Sequence, residues 1–247
     1  MQNLIGLRSR PVEEFVPELL GHFDQLRTVT FVLYKPAPVL GERLKRIVEP
    51  HSELLSKADQ LNREYGIPFW DAFLSIEMKS GVLSKEYVDL AILHDAHPDE
   101  RAIELTRGEA TRDRLRSIIE DAGPEYGVAL SSRVRIANGE YAHIPMLDFR
   151  CKCSAHNVEV VKWAVAAIGH MSGAVVNSGR SFHFYGMRLL TVPEWLRFIA
   201  LAALFSPVVD ARYLAHRLAD GACRLRITGA PGRPSVPFVE EVFSDES

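Results

Sequence analysis

The chain has 247 residues, 47% of them hydrophobic, with a formal net charge of −3; this is the make-up of a globular protein with one large domain or two small ones. So small a net charge excludes a global field that would draw the chain onto nucleic acid or anionic lipid. The longest apolar run, Phe198 to Phe205, has eight residues, whereas a membrane helix needs about 20, so no membrane partner is expected.

The pattern in the first hundred residues is mostly helical, after one expected strand at Val29–Tyr34. Leu44, Ile47 and Val48, then Leu54, Leu55, Ala58 and Leu61, recur at helical spacing. Pro50 divides this stretch into two helices, because proline lacks the amide that an internal turn needs. Pro98 is suited to open a further helix. Leu115, Ile118 and Ile119 mark another, which Gly123-Pro124 ends. Residues 1–108 therefore read as a mainly helical N-terminal region, and residues 109–247 as an α+β core.

In that core, Leu130, Ser132, Val134 and Ile136 alternate with Ser131, Arg133 and Arg135, as in a half-buried strand. Asn138-Gly139 is a hairpin turn. The return strand, Tyr141 to Cys151, carries Asp148, and Pro145 within it implies an edge or a bulge. Asn157 is placed to cap a helix with the apolar face Val158, Val161, Val165 and Ile168. Two short strands follow, Ala174–Ser178 and Ser181–Tyr185, with Gly179-Arg180 at their turn. A helix is expected over Pro193–Phe205, a shorter one near Tyr213–Leu218, and a strand over Cys223–Ile227. The fold class is α+β, an antiparallel sheet with packed helices.

Ser181, His183 and Tyr185 share one face of their strand, and Phe182 and Phe184 the other. The phenylalanines are expected in the core and the polar trio in a cleft. Arg180 at the turn can reach a phosphate with its planar fork of donors. Asp148 and Asp210 can offer hard oxygen ligands to Mg²⁺ or Mn²⁺. Between Gly179 and Arg233 there are eight arginines against Glu194, Asp210 and Asp220, a local positive excess of the kind that nucleic-acid-binding surfaces carry.

Leu147-Asp148, Ser181-Phe182-His183 and Val209-Asp210 follow one another in this order, about thirty residues apart. That series resembles archaeo-eukaryotic primases and primase-polymerases, whose motifs are Asp-x-Asp/Glu on a strand, then Ser-x-His, then a hydrophobic residue with Asp. The segment Cys223–Arg233 is similar to the arginine-bearing strand and loop that follow the third motif. The resemblance spans roughly residues 127 to 235. It implies that Asp148 and Asp210 bind divalent metal, and that Asp148, Asp210 and His183 are catalytic. It also implies that Ser178, Arg180, Ser181 and His183 contact a nucleotide, with Arg226 and Arg233 near phosphate or template. The function implied is metal-dependent nucleotidyl transfer on single-stranded or primed nucleic acid. The alternative is a degenerate primase-like module that holds a nucleotide or a nucleic-acid end, with protein partners in a larger complex. The chain departs from the family pattern at one position. Arg150 stands where the first motif has its second acid, and a cation two residues from Asp148 on a strand would repel a divalent ion.

Other signals are weaker. Cys151, Cys153 and His156 offer three zinc ligands where a structural site has four, so free thiols are expected and zinc is not. His94-Asp95-Ala-His97 is similar to metal-dependent phosphohydrolases, without the separated ligands that such sites need. Gly229-Ala-Pro-Gly232 lacks the Gly-Lys-Ser/Thr ending of a phosphate loop. Trp163, Trp195 and Phe198 are expected in the core. Three cysteines, and an N-terminus without a long apolar stretch, give the expectation of a reducing, cytoplasmic setting.

Overall fold

The computed structural model describes residues 6–36, 52–81, 85 and 100–244. They belong to two compact units, one of residues 1–36 and 98–247, the other of residues 37–97. The larger unit opens with α1 (Val12–His22) and β1 (Leu26–Tyr34). The smaller unit holds α2 (Ser52–Tyr65) and α3 (Phe69–Ser80). Its core is Ala58, Ala72 and Phe73, with Leu54, Leu55, Leu61 and Trp70 packed against them.

The larger unit resumes with β2 (Arg101–Thr106), α4 (Arg112–Ala122), β3 (Gly127–Ile136), β4 (Tyr141–His143), β5 (Met146–Asp148) and α5 (Ala155–Ala167). Then come β6 (Gly173–Asn177), β7 (Phe182–Gly186), β8 (Leu190–Thr191), α6 (Val192–Ala203), α7 (Ala211–Asp220), β9 (Arg224–Arg226) and β10 (Phe238–Phe243). These strands form two antiparallel sheets, so the fold is α+β. One sheet has the order β2-β1-β3-β4-β8, with β9 also on β3, and the other the order β10-β6-β7-β5. The long strand β3 pairs with β1 along one edge. It divides its other edge between β9, at Ala129–Ser131, and β4, at Arg133–Arg135.

Local chemistry explains most element ends. Thr111 caps α4 by accepting from the Arg114 amide, and Gly123 stops it. Thr191 and Glu194 form a reciprocal capping box on α6. Ser154, not Asn157, caps α5: its hydroxyl accepts from the Asn157 amide at 3.2 Å. The expected single return strand is two, β4 and β5, in different sheets. Pro145 lies between them, where its missing amide makes leaving a ladder inexpensive.

The β1 ladder with β2 and β3 spans residue 108, so β1 and β2 lie in the same sheet as the strands of the α+β core. Only Ile103 and Leu105 are apolar aliphatic residues facing inward on β2, too short an alternation to read as a strand. One continuous core joins α1, both sheets, α4, α5 and α6. Phe15, Phe31, Phe182 and Phe184 are each almost fully buried in it, and burying such a side chain is worth roughly 1.5–3 kcal/mol. Trp195 and Phe198 are in this core, whereas Trp163 is 60% exposed. The buried face of α5 is Val158, Val161 and Val165, and Trp163 falls on its opposite side.

Candidate functional site: an arginine-lined cavity at two aspartates

Sheet register brings the three sequence motifs together. In the β5–β7 ladder Asp148 is directly opposite His183. Past Asp148, the chain pairs with the segment before α7. Phe149 bridges Val209, the Arg150 amide donates to Val208 O at 2.8 Å, and the Asp210 amide donates to Asp148 O at 3.1 Å. The two aspartates thus stand side by side on adjacent backbone segments. Asp210 also starts α7: its Oδ1 accepts from the amides of Arg212 and Tyr213 at 3.0 and 3.1 Å.

The turn from β6 to β7 closes through Ser178, whose amide donates to Ser181 O at 2.9 Å and whose hydroxyl also donates there at 3.0 Å. Gly179 has φ +93°, and a Cβ on it would lie 2.9 Å from the Ser235 side chain. Both facts require glycine. The loop from β9 to β10 thereby approaches the turn, and Arg226 ties the two together. Its guanidinium donates to Thr228 O at 2.9 Å and Ser235 O at 2.6 Å on the loop, and to Ser178 O on the turn.

Between these segments lies a cavity of about 340 Å³. The ionisable groups on its wall are Asp148, Asp210, Arg150, Arg180, Arg226 and Arg233, with Ser178 and Ser181 beside them. Arg150, Arg180 and Arg233 form no ion pair among the described residues. Their charge is therefore available to a ligand.

Burial, and then the neighbouring Asp210, push the Asp148 carboxyl up to about 7, against the opposing pull of Arg233, Arg226 and Arg150. Burial, and then Arg226 and Arg233, push His183 down to about 3. His183 is thus a neutral imidazole near pH 7. Its Nε2 is 3.8 Å from Asp148 Oδ1, beyond hydrogen-bond range, and its Nδ1 has no partner among the described residues. His183 does not line the cavity; it faces Asp148 across the β5–β7 ladder. The expected open polar face of β7 is in fact buried at His183 and Tyr185, because β7 is an interior strand of a sheet covered on both sides.

The motifs imply a divalent metal, for which the cavity offers few donors. Among the described residues only two carboxylates face the cavity, and one Asp210 oxygen is committed to the α7 amides. No group of three or more His, Cys, Asp or Glu side chains suited to a metal occurs among the described residues. Four guanidiniums share the wall with the two acids. One magnesium ion is usually held by one or two carboxylates with substrate phosphates and water, but a single pair of acids, one oxygen of it committed and set among four guanidiniums, does not fit a centre that must hold two ions about 4 Å apart.

The structure brings Asp148, Asp210, Ser178, Arg180, Ser181, Arg226 and Arg233 to one cavity. Gly179, Gly232 and Ser235 also line the wall, and no local signal marks them as such: Gly229-Ala-Pro-Gly232 lacks a phosphate-loop ending. Cys153 serves the turn: its thiol lies 3.2 Å from both Asn177 Oδ1 and Ser181 O. Cys151, Cys153 and Cys223 are free thiols, and His156 is edge-on to Trp163. His94, Asp95 and His97 lie outside the described residues. No helix among the described residues is long and apolar enough to cross a membrane.

No curated protein and no solved structure matches the chain. The family model described as archaeo-eukaryotic primase 1D-like (AEP-like) matches residues 106–236, a span that contains both aspartates, the β6–β7 turn and the arginine-bearing loop. With that match over more than half its length, the chain belongs to the archaeo-eukaryotic primase-like family.

Proposed function

We propose that this protein is a primase-like module that binds the phosphates of a nucleoside triphosphate, or of a nucleic-acid end, in the cavity beside Asp148 and Asp210. The observation that carries this reading is the cavity wall: four guanidiniums against two carboxylates, with Arg150, Arg180 and Arg233 free of ion pairs among the described residues. Guanidinium forks match phosphate geometry, and charge-assisted hydrogen bonds are the strong ones. Family membership supports nucleotide and nucleic acid as the ligand class. Ser178 and Ser181 add neutral hydroxyls to the same wall.

Calorimetric titration of the full chain with ATP tests the proposal. Saturable binding is expected, and Arg180→Ala and Arg233→Ala should each weaken it about tenfold or more, since a hydrogen bond to a charged group is worth about 1.5–3 kcal/mol. Absence of binding, or affinity unchanged in both variants, would refute it.

A second reading, nucleotidyl transfer with Mg²⁺ or Mn²⁺, is favoured by one observation, the placement of Asp148 next to Asp210. Labelled-nucleotide incorporation on single-stranded and primed templates checks it. Products that disappear in Asp210→Asn, a variant that preserves the helix cap, would support transfer. No product with either metal would leave the binding module.

A further inference from the structure

We infer that this cavity takes its polyphosphate without a divalent cation, the Arg150 guanidinium supplying positive charge that a metal would otherwise bring. The inference rests on the phosphate-binding reading and goes beyond it, by stating what the ligand does not need.

Three observations lead there. First, the described residues offer a metal two carboxylates, one of them with an oxygen held by the Arg212 and Tyr213 amides, so a cation there would draw most of its ligands from phosphate and water. Second, the cations are already built in. Arg150, Arg180, Arg226 and Arg233 line the same wall as the two acids, so the wall carries a formal excess of two positive charges when both acids are ionised. A divalent ion entering between the aspartates would add to that excess and be repelled by it. Third, Arg150 is held in place by the backbone. Its amide donates to Val208 O at 2.8 Å, in the same short pairing that sets Asp210 beside Asp148. The backbone of Arg150 is thereby fixed beside the carboxylate pair, while its guanidinium lines the cavity and forms no ion pair among the described residues. A planar fork of donors can bridge phosphate oxygens, as a bound metal does, without needing protein ligands of its own.

The test compares ATP binding to the full chain in excess Mg²⁺ and in excess EDTA, by calorimetry. Equal affinity within about threefold is expected, a difference well under 1.4 kcal/mol. Binding at least about tenfold weaker in EDTA would overturn the inference while leaving the phosphate-binding reading intact. No binding in either buffer would overturn that reading and this inference with it. Arg150→Asp should convert the wild-type behaviour into metal dependence, with ATP affinity falling about tenfold when EDTA replaces Mg²⁺. An Arg150→Asp protein that binds equally in both buffers would refute the role given to Arg150. Arg150→Ala removes the guanidinium without adding an acid and guards against a folding defect. It is expected to weaken ATP about tenfold in EDTA, and unchanged affinity there would also refute that role.

Discussion

The Asp210 amide donates to the Asp148 carbonyl at 3.1 Å, while the Asp210 carboxylate caps α7 through two further amides. One residue therefore fixes the separation of the two acids and starts a helix. Asp210→Ala should cost about 1 kcal/mol, the usual loss for an N-cap. Asp210→Asn should keep that stability, because an amide oxygen accepts from the same donors. Both variants remove the charge beside Asp148, so their difference isolates the cap. Urea unfolding of the two side by side measures it, and equal midpoints would contradict the capping argument.

The pH dependence of stability follows from Asp148 and its neighbours. Asp148 is pushed up from 3.8 to about 7. Between those values the folded chain holds a proton that the unfolded chain has released, so this residue's contribution falls as pH rises. His183, pushed down from 6.5 to about 3, acts in the opposite sense: below 6.5 the unfolded chain gains a proton that the folded chain refuses. Buried His143 and His170, each pushed down to about 4, add to that acid-side loss. Asp148→Asn removes this opposing slope, to which Glu13, also raised by burial, adds at lower pH. The variant should gain on the wild type progressively from about 3.8 to about 7 and no further above that. Urea unfolding across this range reads the difference, and a constant offset at all pH values would show that Asp148 does not titrate within it.

Much of the site was legible because it rests on short-range rules. Alternation located β3, Asn138-Gly139 marked its turn, and the ordered motifs Asp148, Ser181-x-His183 and Asp210 named three segments that do converge. The residues that went unread depend on contacts distant in sequence. Nothing local in Arg226 announces that it will bond Ser178 and Ser235. Likewise His183 sits on a strand whose period-2 pattern assigns it a polar face, but that face is buried, with Phe15 of α1 against Tyr185, and burial of this kind is set by topology. β2 and β10 were missed because each is short: β2 carries as many polar as apolar residues, and the paired Glu240-Glu241 of β10 breaks its alternation, so tertiary pairing decides both.

Gly179 offers a separate check on how the turn meets the loop. Its φ of +93° disfavours any side chain, and an added Cβ would stand 2.9 Å from Ser235. Gly179→Ala should destabilise by about 1–3 kcal/mol, the range for a residue held in a sparsely populated backbone region. Adding Ser235→Gly removes the steric part and leaves the backbone part, so the double variant should recover some but not all of the loss. Full recovery would show that the left-handed conformation is not enforced, and no recovery would show that turn and loop are not in contact. Thermal unfolding of the two variants against wild type distinguishes these outcomes.

Arg226 is the residue on which the cavity's shape depends. It is buried, its charge is disfavoured there by desolvation, and the groups it bonds are the carbonyls of Thr228, Ser235 and Ser178. A guanidinium reaches three acceptors at once because its donors are fixed in a plane. Lysine presents a single ammonium and cannot span the same set. Arg226→Lys should therefore behave almost like Arg226→Met, each leaving carbonyls without donors at a cost of about 1–3 kcal/mol apiece, less where water enters. The loss should be local. Amide hydrogen exchange should quicken in the 178–181 turn and in residues 228–235, while α5 and α6 keep wild-type protection. ATP affinity should fall in both variants because Arg180 on the turn and Arg233 on the loop lose their fixed spacing. If Arg226→Lys retained wild-type exchange in both segments and lost only affinity, Arg226 would instead be a direct phosphate contact, and the three carbonyls would not be what holds the cavity walls together.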